Sequence, residues 1–406
     1  MHRGIYVHIP FCHKKCSYCD FYSIEKVSQI DDFVSILCKE ISLWGSTTSN
    51  RYSVDTLFFG GGTPSLLSAV HLQTIYETLQ QYFSFVPNFE WTLECNPGTV
   101  TIDSLKSYKQ LGVNRLSFGV QSFHQNELDF LERIHSPEQA KNAVQYAKEA
   151  GFDQISIDLM YALPNQTLES WKATLREAIN LGTSHISAYS LIYEEGTPLY
   201  AQFIKGAVTP LDEDIDVDLY HYANEELTKA GFTQYEVSNY AKDGAYCYHN
   251  LKYWNSEEYI AFGPSAHGYI EGERYWNIRA LSSYIEKLSK GTLPVLNREV
   301  LTKEQQCFEM AFLGLRSTGI DLQRFEQLFS IRLEDILKNE FQLWKNEKLI
   351  EIHNGTVRST SLGYQLNDAI SLKVISKLEK VLQTEWKGVE VEMPSPSEYV
   401  PLQIVS

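Results

Sequence analysis

Residues 3–21 read RGIYVHIPFCHKKCSYCDF, and this stretch decides how the whole chain is interpreted. Residues 3–9 form an apolar run typical of a buried strand, and Cys12, Cys16 and Cys19 follow it directly. The other four of the seven cysteines are scattered. A chain of 406 residues buries enough surface to fold without disulfides, so three cysteines on one short loop indicate a metal centre.

Three thiolates on one loop can hold three irons of a four-iron cluster, and the fourth iron then stays open to another ligand. The alternative is a structural zinc site completed by Cys38 or by His13. Cys38 shares a helical stripe with Val34 and Ile41, which favours a position against the core. The C-x3-C-x2-C spacing at the end of a strand therefore favours the cluster.

The charge balance excludes one class of partner. The chain has 51 acidic and 35 basic residues and a formal net charge of −16, which argues against general binding to nucleic acid. The amino terminus lacks the apolar core of a secretory signal, and no apolar run is long enough to span a bilayer. We expect a cytoplasmic protein without a transmembrane segment, and peripheral membrane contact stays an open alternative.

A recurring sequence pattern predicts the fold class. Helical stretches end at Gly112, Gly151 and Gly182, and an apolar strand follows each after a few residues. Ser136 and Gln139 form the capping box of the clearest helix, 136–150. Alternating strands and helices imply parallel units, and about six fit before residue 195. The expected fold is α/β, a partial (β/α)6 barrel with its site at the carboxyl ends of the strands.

The remaining chain suggests further units. We expect the barrel and its carboxy-terminal extension to cover 1–290. Residues 291–370 predict a small, mostly helical, winged-helix-like domain, with a hairpin turn at Asn354-Gly355. Residues 371–406 predict a C-terminal helix and a poorly ordered tail.

Polar residues and glycines mark the ends of successive predicted strands. Gly61, Gly62 and Thr63 follow the second strand, and Glu94 ends the third. Gln121 closes the fourth strand, and Asp158 lies on the fifth. Because the carboxyl ends of parallel strands meet at one edge, we expect these residues to converge beside the cysteines.

The cysteine loop with Asp20-Phe21 resembles the radical S-adenosylmethionine (SAM) superfamily. The preceding Tyr6-x-His8-Ile9-Pro10-Phe11 resembles the branch that contains the oxygen-independent coproporphyrinogen III oxidases and the heme chaperones called HemW. This resemblance implies a [4Fe–4S] cluster on the three cysteines, with SAM on the open iron. The residues that it assigns to SAM are Tyr6, Tyr18, Gly61, Gly62, Thr63, Glu94, Gln121, Arg133, Asp158 and Ile192.

A second motif separates the members of this branch. His249-Asn250-x-x-Tyr253-Trp254 resembles the HNxxYW heme-binding motif of the heme chaperones, and His267 is a second candidate ligand. A neutral imidazole beside aromatic side chains suits axial ligation of heme. Heme propionates are anionic, so an acidic chain must supply local cations. The candidates are Lys252, Arg274 and Arg279.

Two departures favour the chaperone over the oxidase. Phe21 stands where oxidases of this kind carry a further cysteine, and the chain starts its first strand without their N-terminal extension. We expect a radical SAM-type heme chaperone that binds a cluster, SAM and one heme, accepts electrons from a donor, and delivers heme to an acceptor protein. The alternative is a coproporphyrinogen III oxidase that converts propionates to vinyl groups. A zinc-stabilised barrel with an unrelated substrate is the third reading, and no catalytic residue is assigned.

Overall fold

The apolar runs of the first half become parallel strands in a computed structural model, which describes residues 2–47 and 52–385. Each of these strands pairs in parallel with the next one along the chain. Strands covered on both faces are apolar throughout, which explains why the runs were visible in the sequence. The strands are β1 (Arg3–Ile9), β2 (Ser53–Gly61), β3 (Ser84–Cys95), β4 (Arg115–Gln121), β5 (Gln154–Tyr161) and β6 (His185–Ser190).

The helices between these strands begin and end at the predicted signals. Ser136 and Gln139 form the capping box at the start of the 137–149 helix, as expected. Gly112 ends an earlier helix with a φ of 115°, a left-handed conformation that favours glycine. The helices are α1 (Ile30–Thr47), α2 (Ala69–Tyr82), α3 (Ile102–Leu111), α4 (Gln125–Phe130), α5 (Pro137–Glu149) and α6 (Leu168–Asn180).

The next segment extends the sheet at both edges. The elements are α7 (Pro198–Ile204), α8 (Glu213–Lys229), β7 (Thr233–Gln234), β8 (Asn239–Ala241), α9 (Tyr248–Trp254), β9 (Tyr259–Phe262), β10 (His267–Ile270), β11 (Glu273–Asn277), α10 (Leu281–Ser289) and β12 (Val295–Val300). The described residues form a twelve-stranded sheet in the order β12-β11-β10-β9-β1-β2-β3-β4-β5-β6-β8-β7. The α/β class and the partial barrel of parallel strands are confirmed. Residues 295–300, assigned to the C-terminal domain from the sequence, instead pair as β12 with β11.

The faces of β1 show how the sheet divides the core. Ile5, Val7 and Ile9 belong to the large core shared with the helices. Tyr6, between them, belongs to a separate cluster with Phe58 on the other face of the sheet. This alternation gives the barrel interior a polar and aromatic lining.

The C-terminal region has its own apolar core, which includes residues from 307 to 382. Its elements are α11 (Lys303–Leu315), β13 (Ile320–Asp321), α12 (Leu322–Phe329), α13 (Leu333–Ile336), α14 (Lys338–Asn346), β14 (Ile350–His353), β15 (Thr356–Ser359), α15 (Ser361–Gln365) and α16 (Asn367–Glu385). Asn354 and Gly355 turn the predicted hairpin with φ angles of 49° and 78°. Helices and a three-stranded sheet make up the expected winged-helix-like arrangement.

Two expectations concern the rest of the chain. In the described ranges no helix combines the length and the apolar character that crossing a bilayer requires. The tail expected to be poorly ordered falls, from residue 386 onward, outside the described residues.

Candidate cofactor site

The cysteine loop leaves the carboxyl end of β1 and is closed at its base by backbone hydrogen bonds. The Cys12 N–H donates to the carbonyl of Ile24 at 3.0 Å, and the Ile24 N–H donates to the carbonyl of Pro10 at 2.8 Å. Within this loop, Cys12, Cys16 and Cys19 all line one cavity of about 290 Å³. The structure therefore brings the predicted ligands together at the edge where β1 ends.

The thiols contact polar groups from other strand ends. The Thr63 hydroxyl donates to Cys12 Sγ at 3.5 Å, and Arg133 Nη1 donates to Cys16 Sγ at 3.6 Å. Burial, together with the two neighbouring cysteines, raises the pKa of the Cys19 thiol to about 12. A bare thiolate at Cys19 is thus disfavoured, and a bound cationic centre would reverse that preference.

The donor set distinguishes a cluster from a single metal ion. Within residues 2–47 and 52–385, no three His, Cys, Asp or Glu side chains converge on a point that one ion could occupy. Cys38 lies on α1, with its Sγ 3.9 Å from the carbonyl of Thr74 on α2, and it does not line the cavity. Three thiols that line one cavity are a donor set that fits a cluster in which each thiol binds a different iron.

The two glycines at the end of β2, which the resemblance assigns to SAM, pack closely against neighbouring groups. A Cβ atom on Gly61 would lie 2.4 Å from the ring of His8, and one on Gly62 would lie 2.6 Å from the carbonyl oxygen of Phe11. The glycines thus allow the base of the cysteine loop to pack on β2, and both still line the cavity.

Two carboxylates, Glu94 and Asp158, also line the cavity. Glu94 Oε2 accepts a hydrogen bond from the Gly61 N–H at 3.1 Å, while Glu94 Oε1 is buried without a partner in the described part of the chain. The Ser117 hydroxyl donates to Asp158 at 3.2 Å. Burial, and secondarily the nearby Asp158, hold the pKa of Glu94 well above its usual range. Burial raises the pKa of Asp158 to about 6. A cationic ligand would stabilise both carboxylates in their charged form.

Most of the residues predicted to bind SAM share this cavity. Arg133 is fixed by its Nη2, which donates to the carbonyl of Gly119 at 2.6 Å. Ile192 is 64% exposed and Tyr6 is buried behind the wall, so neither lines the cavity. The predicted residues that line it are Tyr18, Gly61, Gly62, Thr63, Glu94, Gln121, Arg133 and Asp158.

The predicted heme motif has a different environment. Helix α9, which carries it, lies at the amino-terminal ends of the strands, where Glu90 of β3 accepts hydrogen bonds from the N–H groups of Tyr248 and His249, both at 3.0 Å. A Cβ on Gly4, at the start of β1, would meet the His249 ring at 3.1 Å. His249, Asn250, Tyr253 and Trp254 are all buried. The motif thus closes the barrel floor, away from the cysteines.

His249 does not fit a heme iron in this arrangement. It is 0% exposed, with Nδ1 2.8 Å from the Thr56 hydroxyl and Nε2 2.8 Å from the Tyr253 hydroxyl. Its ring stacks on Phe58 with centroids 5.1 Å apart. Axial ligation requires a free ring nitrogen and an open face, and the enclosed imidazole offers neither.

Two of the cations expected near the heme motif, Lys252 and Arg274, are paired with carboxylates of the protein. Lys252 is buried and pairs with Asp55 at 2.9 Å and with Glu257 at 3.2 Å. Arg274 pairs with Glu309 at 2.5 Å. Lys252 and Arg274 are therefore neutralised within the protein and are not available to propionates.

Several site residues were not found from the sequence. Ser117 and Tyr189 line the cavity beside Asp158. Both lie on strands whose alternation points every second residue inward, so counting from Asp158 across the sheet would have found them. Thr56 and Glu90 form hydrogen bonds with α9. The sequence around them does not indicate these contacts, because their partners are distant along the chain.

Comparison of sequences gives matches to both regions. The Radical SAM superfamily profile matches residues 6–178, and the HemN C-terminal domain profile matches residues 301–366. The chain is 34% identical over 375 residues to the heme chaperone HemW of Lactococcus lactis subsp. lactis (strain IL1403), covering 92% of this chain and 97% of that protein. It is 34% identical over 371 residues to the heme chaperone HemW of Bacillus subtilis (strain 168), covering 91% and 98%.

Comparison of structures supports the fold. Coproporphyrinogen III oxidase (HemN) from Escherichia coli, a radical SAM enzyme, superposes with a TM-score of 0.79 over 92% of this chain and 90% of that one. The two sequences are 23% identical, so this similarity establishes a common fold and does not by itself assign an activity.

Proposed function

This chain belongs to the heme chaperone HemW family of the radical SAM superfamily, and we propose from that premise that it binds heme and delivers it to an acceptor protein. The cavity that gathers the three cysteines and two buried carboxylates is the observation that supports the proposal, because eight of the ten residues predicted to bind SAM line it together with the cysteines. The heme acceptor is a protein partner, and an electron donor serves the cluster.

Cys12, Cys16 and Cys19 would hold a [4Fe–4S] cluster, which supplies one-electron reduction of SAM when both are bound. Thr63 and Arg133 already donate to two of the sulfurs. Donors to thiolate sulfur stabilise the more negative state of such a centre. These contacts would orient the ligands before the cluster is inserted.

The carboxylates that line the same cavity would contact SAM. Glu94 Oε1 is buried and lacks a partner within the described residues. A buried carboxylate oxygen requires a hydrogen-bond donor or a cation, and SAM offers both. Gln121 and Asp158 line the same cavity. Tyr6, whose pKa is raised by burial and then by Glu94, does not line the cavity and would support it indirectly. Ile192 stays a prediction.

One residue favours the chaperone over the oxidase. Phe21 lines the cavity at the position where the resemblance places a further cysteine in the oxidases. An apolar ring there cannot replace a thiol, so oxidase turnover of coproporphyrinogen III is the less favoured activity.

Anaerobic reconstitution tests this proposal. The wild type should take up iron and sulfide, bind SAM, and bind heme that it later releases to an apo-protein. A protein that took up zinc and no sulfide, or that bound cluster and SAM but no heme, would overturn it. The matched variants Cys16→Ala and Cys38→Ala show whether heme binding depends on the cluster.

A further inference from the structure

The end of β4 is distorted at the point where it reaches the cavity lined by the three cysteines. Gln121, which lines this cavity, has a φ of 67°. The Ser122 N–H donates to the carbonyl of Val120 at 2.9 Å, so the backbone makes a three-residue turn around Gln121. The pairing of β4 with β5 also shifts register between Gly119 and Gln121, as at a β-bulge. Such a turn with a positive central φ is rare and strained, and it persists only where neighbouring contacts hold it.

A buried carboxylate on α4 holds this turn. Glu127 is 6% exposed and Ser122 is 0% exposed. The Ser122 hydroxyl donates to Glu127 Oε2 at 2.5 Å, and Gln166 Nε2 donates to Glu127 Oε1 at 3.3 Å. Both carboxylate oxygens therefore accept hydrogen bonds, which join the end of β4 to the loop after β5. Glu127 does not line the cavity with the cysteines, so it contacts the turn and not the cofactor site itself.

Helix α4 also sets the position of Arg133. The Arg133 N–H donates to the carbonyl of Leu128 at 2.9 Å, which anchors Arg133 to the last turn of the helix. Its guanidinium donates to the carbonyl of Gly119 at 2.6 Å and to Cys16 Sγ at 3.6 Å. A Cβ on Gly119 would lie 3.0 Å from Arg133 Nη2 and 3.1 Å from Gln121 Nε2. The side chains of Gln121 and Arg133 therefore meet over Gly119, and the segment that joins them contains Glu127.

We propose that Glu127 is a positioning residue for the cluster and for SAM. Through Ser122 it holds Gln121 in the strained turn. Through α4 it holds Arg133 beside Cys16. The inference rests on the proposed function, in which the cluster and SAM occupy this cavity. A charged acceptor strengthens the hydrogen bond from the Ser122 hydroxyl, and its loss would leave that buried hydroxyl unpaired and release the turn.

Two variants that remove opposite ends of this hydrogen bond test the inference. Glu127→Gln replaces the charged acceptor, and Ser122→Ala deletes only the hydroxyl. In the anaerobically reconstituted full-length chain, each should weaken SAM binding by roughly 10-fold, as measured by titration calorimetry. Each should also change the electron paramagnetic resonance signal of the reduced cluster and make its reduction potential more negative, because Arg133 would donate less to Cys16 Sγ.

A double variant and a control on the same helix separate this role from general damage. Because both changes break one hydrogen bond, the double variant should bind SAM no more weakly than the weaker-binding single variant. Asp129→Asn makes the same carboxylate-to-amide change at an exposed position of α4, and it should match the wild type in SAM affinity, resonance signal and potential. If Glu127→Gln takes up no cluster, Ser122→Ala decides the question alone.

Two results would overturn the inference. One is a pair of variants with lower melting temperatures but wild-type SAM affinity, resonance signal and potential, since Glu127 would then support only the fold. The other is additive losses of SAM affinity in the double variant, which would mean that the two residues act separately. A wild type that took up the cluster but bound no SAM would instead refute the proposed function. The cluster signal and potential would still test Glu127 in that case, because neither measurement needs SAM.

Discussion

Removing one hydroxyl from the barrel floor tests whether the HNxxYW helix is held as the structure shows. Tyr253→Phe deletes the group that lies 2.8 Å from His249 Nε2. Tyr253 is 4% exposed and His249 is 0% exposed, so water cannot easily replace the lost partner. Leaving a buried polar atom without its partner costs about 1–3 kcal/mol.

The expected cost can be read locally by hydrogen exchange. Amides of α9 that exchange by local opening should exchange about 5- to 150-fold faster in Tyr253→Phe, the rate equivalent of that free-energy range. Mass spectrometry of the peptide that covers 247–255 measures this directly. The effect should be confined to α9 and its contacts on β2 and β3.

Tyr259→Phe is a matched control. Tyr259 is 5% exposed and its ring packs edge-on against Tyr253, with centroids 4.6 Å apart. No hydrogen bond to its hydroxyl is found among the described residues, so its removal should change exchange by much less. Equal exchange rates in the two variants would refute the argument that the His249 contact holds the floor.

Three other outcomes follow from the cavity. Cys16→Ala should abolish cluster incorporation and Cys38→Ala should leave iron and sulfide content unchanged; a full cluster in Cys16→Ala would contradict the ligand assignment. Gly62→Ala places a Cβ 2.6 Å from a backbone carbonyl oxygen and should lower the melting temperature and cluster content, whereas Gly98→Ala, with its nearest atom at 3.5 Å, should do neither. Because burial raises the folded-state pKa of Asp158 to about 6 from 3.8, its stabilising contribution is present below 3.8 and lost as the pH rises through about 6. The unfolding free energy of the cluster-free wild type should therefore fall relative to Asp158→Asn over that window, and a pH-independent difference would count against a buried, titrating carboxyl.

The parts of this molecule with local or periodic signals could be predicted from the sequence. Apolar runs predict strands covered on both faces, and the capping box at Ser136 marks a helix start wherever the helix packs. Glu94 and Asp158 could be placed in one site because parallel strands end at a common edge. The cysteine spacing then predicted a cluster beside them.

The features that could not be predicted from the sequence depend on contacts between residues far apart along the chain. His249 contacts Thr56, which is 193 positions away, and nothing near either residue in the sequence indicates that contact. The HNxxYW motif therefore suggested a heme ligand, whereas the distant partners of His249 bury it in the barrel floor. The close approach of the Phe11 carbonyl to Gly62 likewise arises only in the folded chain and has no signal in the sequence.

A heme chaperone should carry heme and leave the heme precursor unconverted, and one experiment tests both properties. The direct measurement incubates the anaerobically reconstituted chain with SAM, a reductant and either heme or coproporphyrinogen III, and then quantifies each tetrapyrrole and the 5′-deoxyadenosine formed. We expect the protein to retain heme, which is recovered unchanged, and coproporphyrinogen III to be recovered with its propionates intact. Conversion of those propionates to vinyl groups, with heme left unbound, would contradict this expectation.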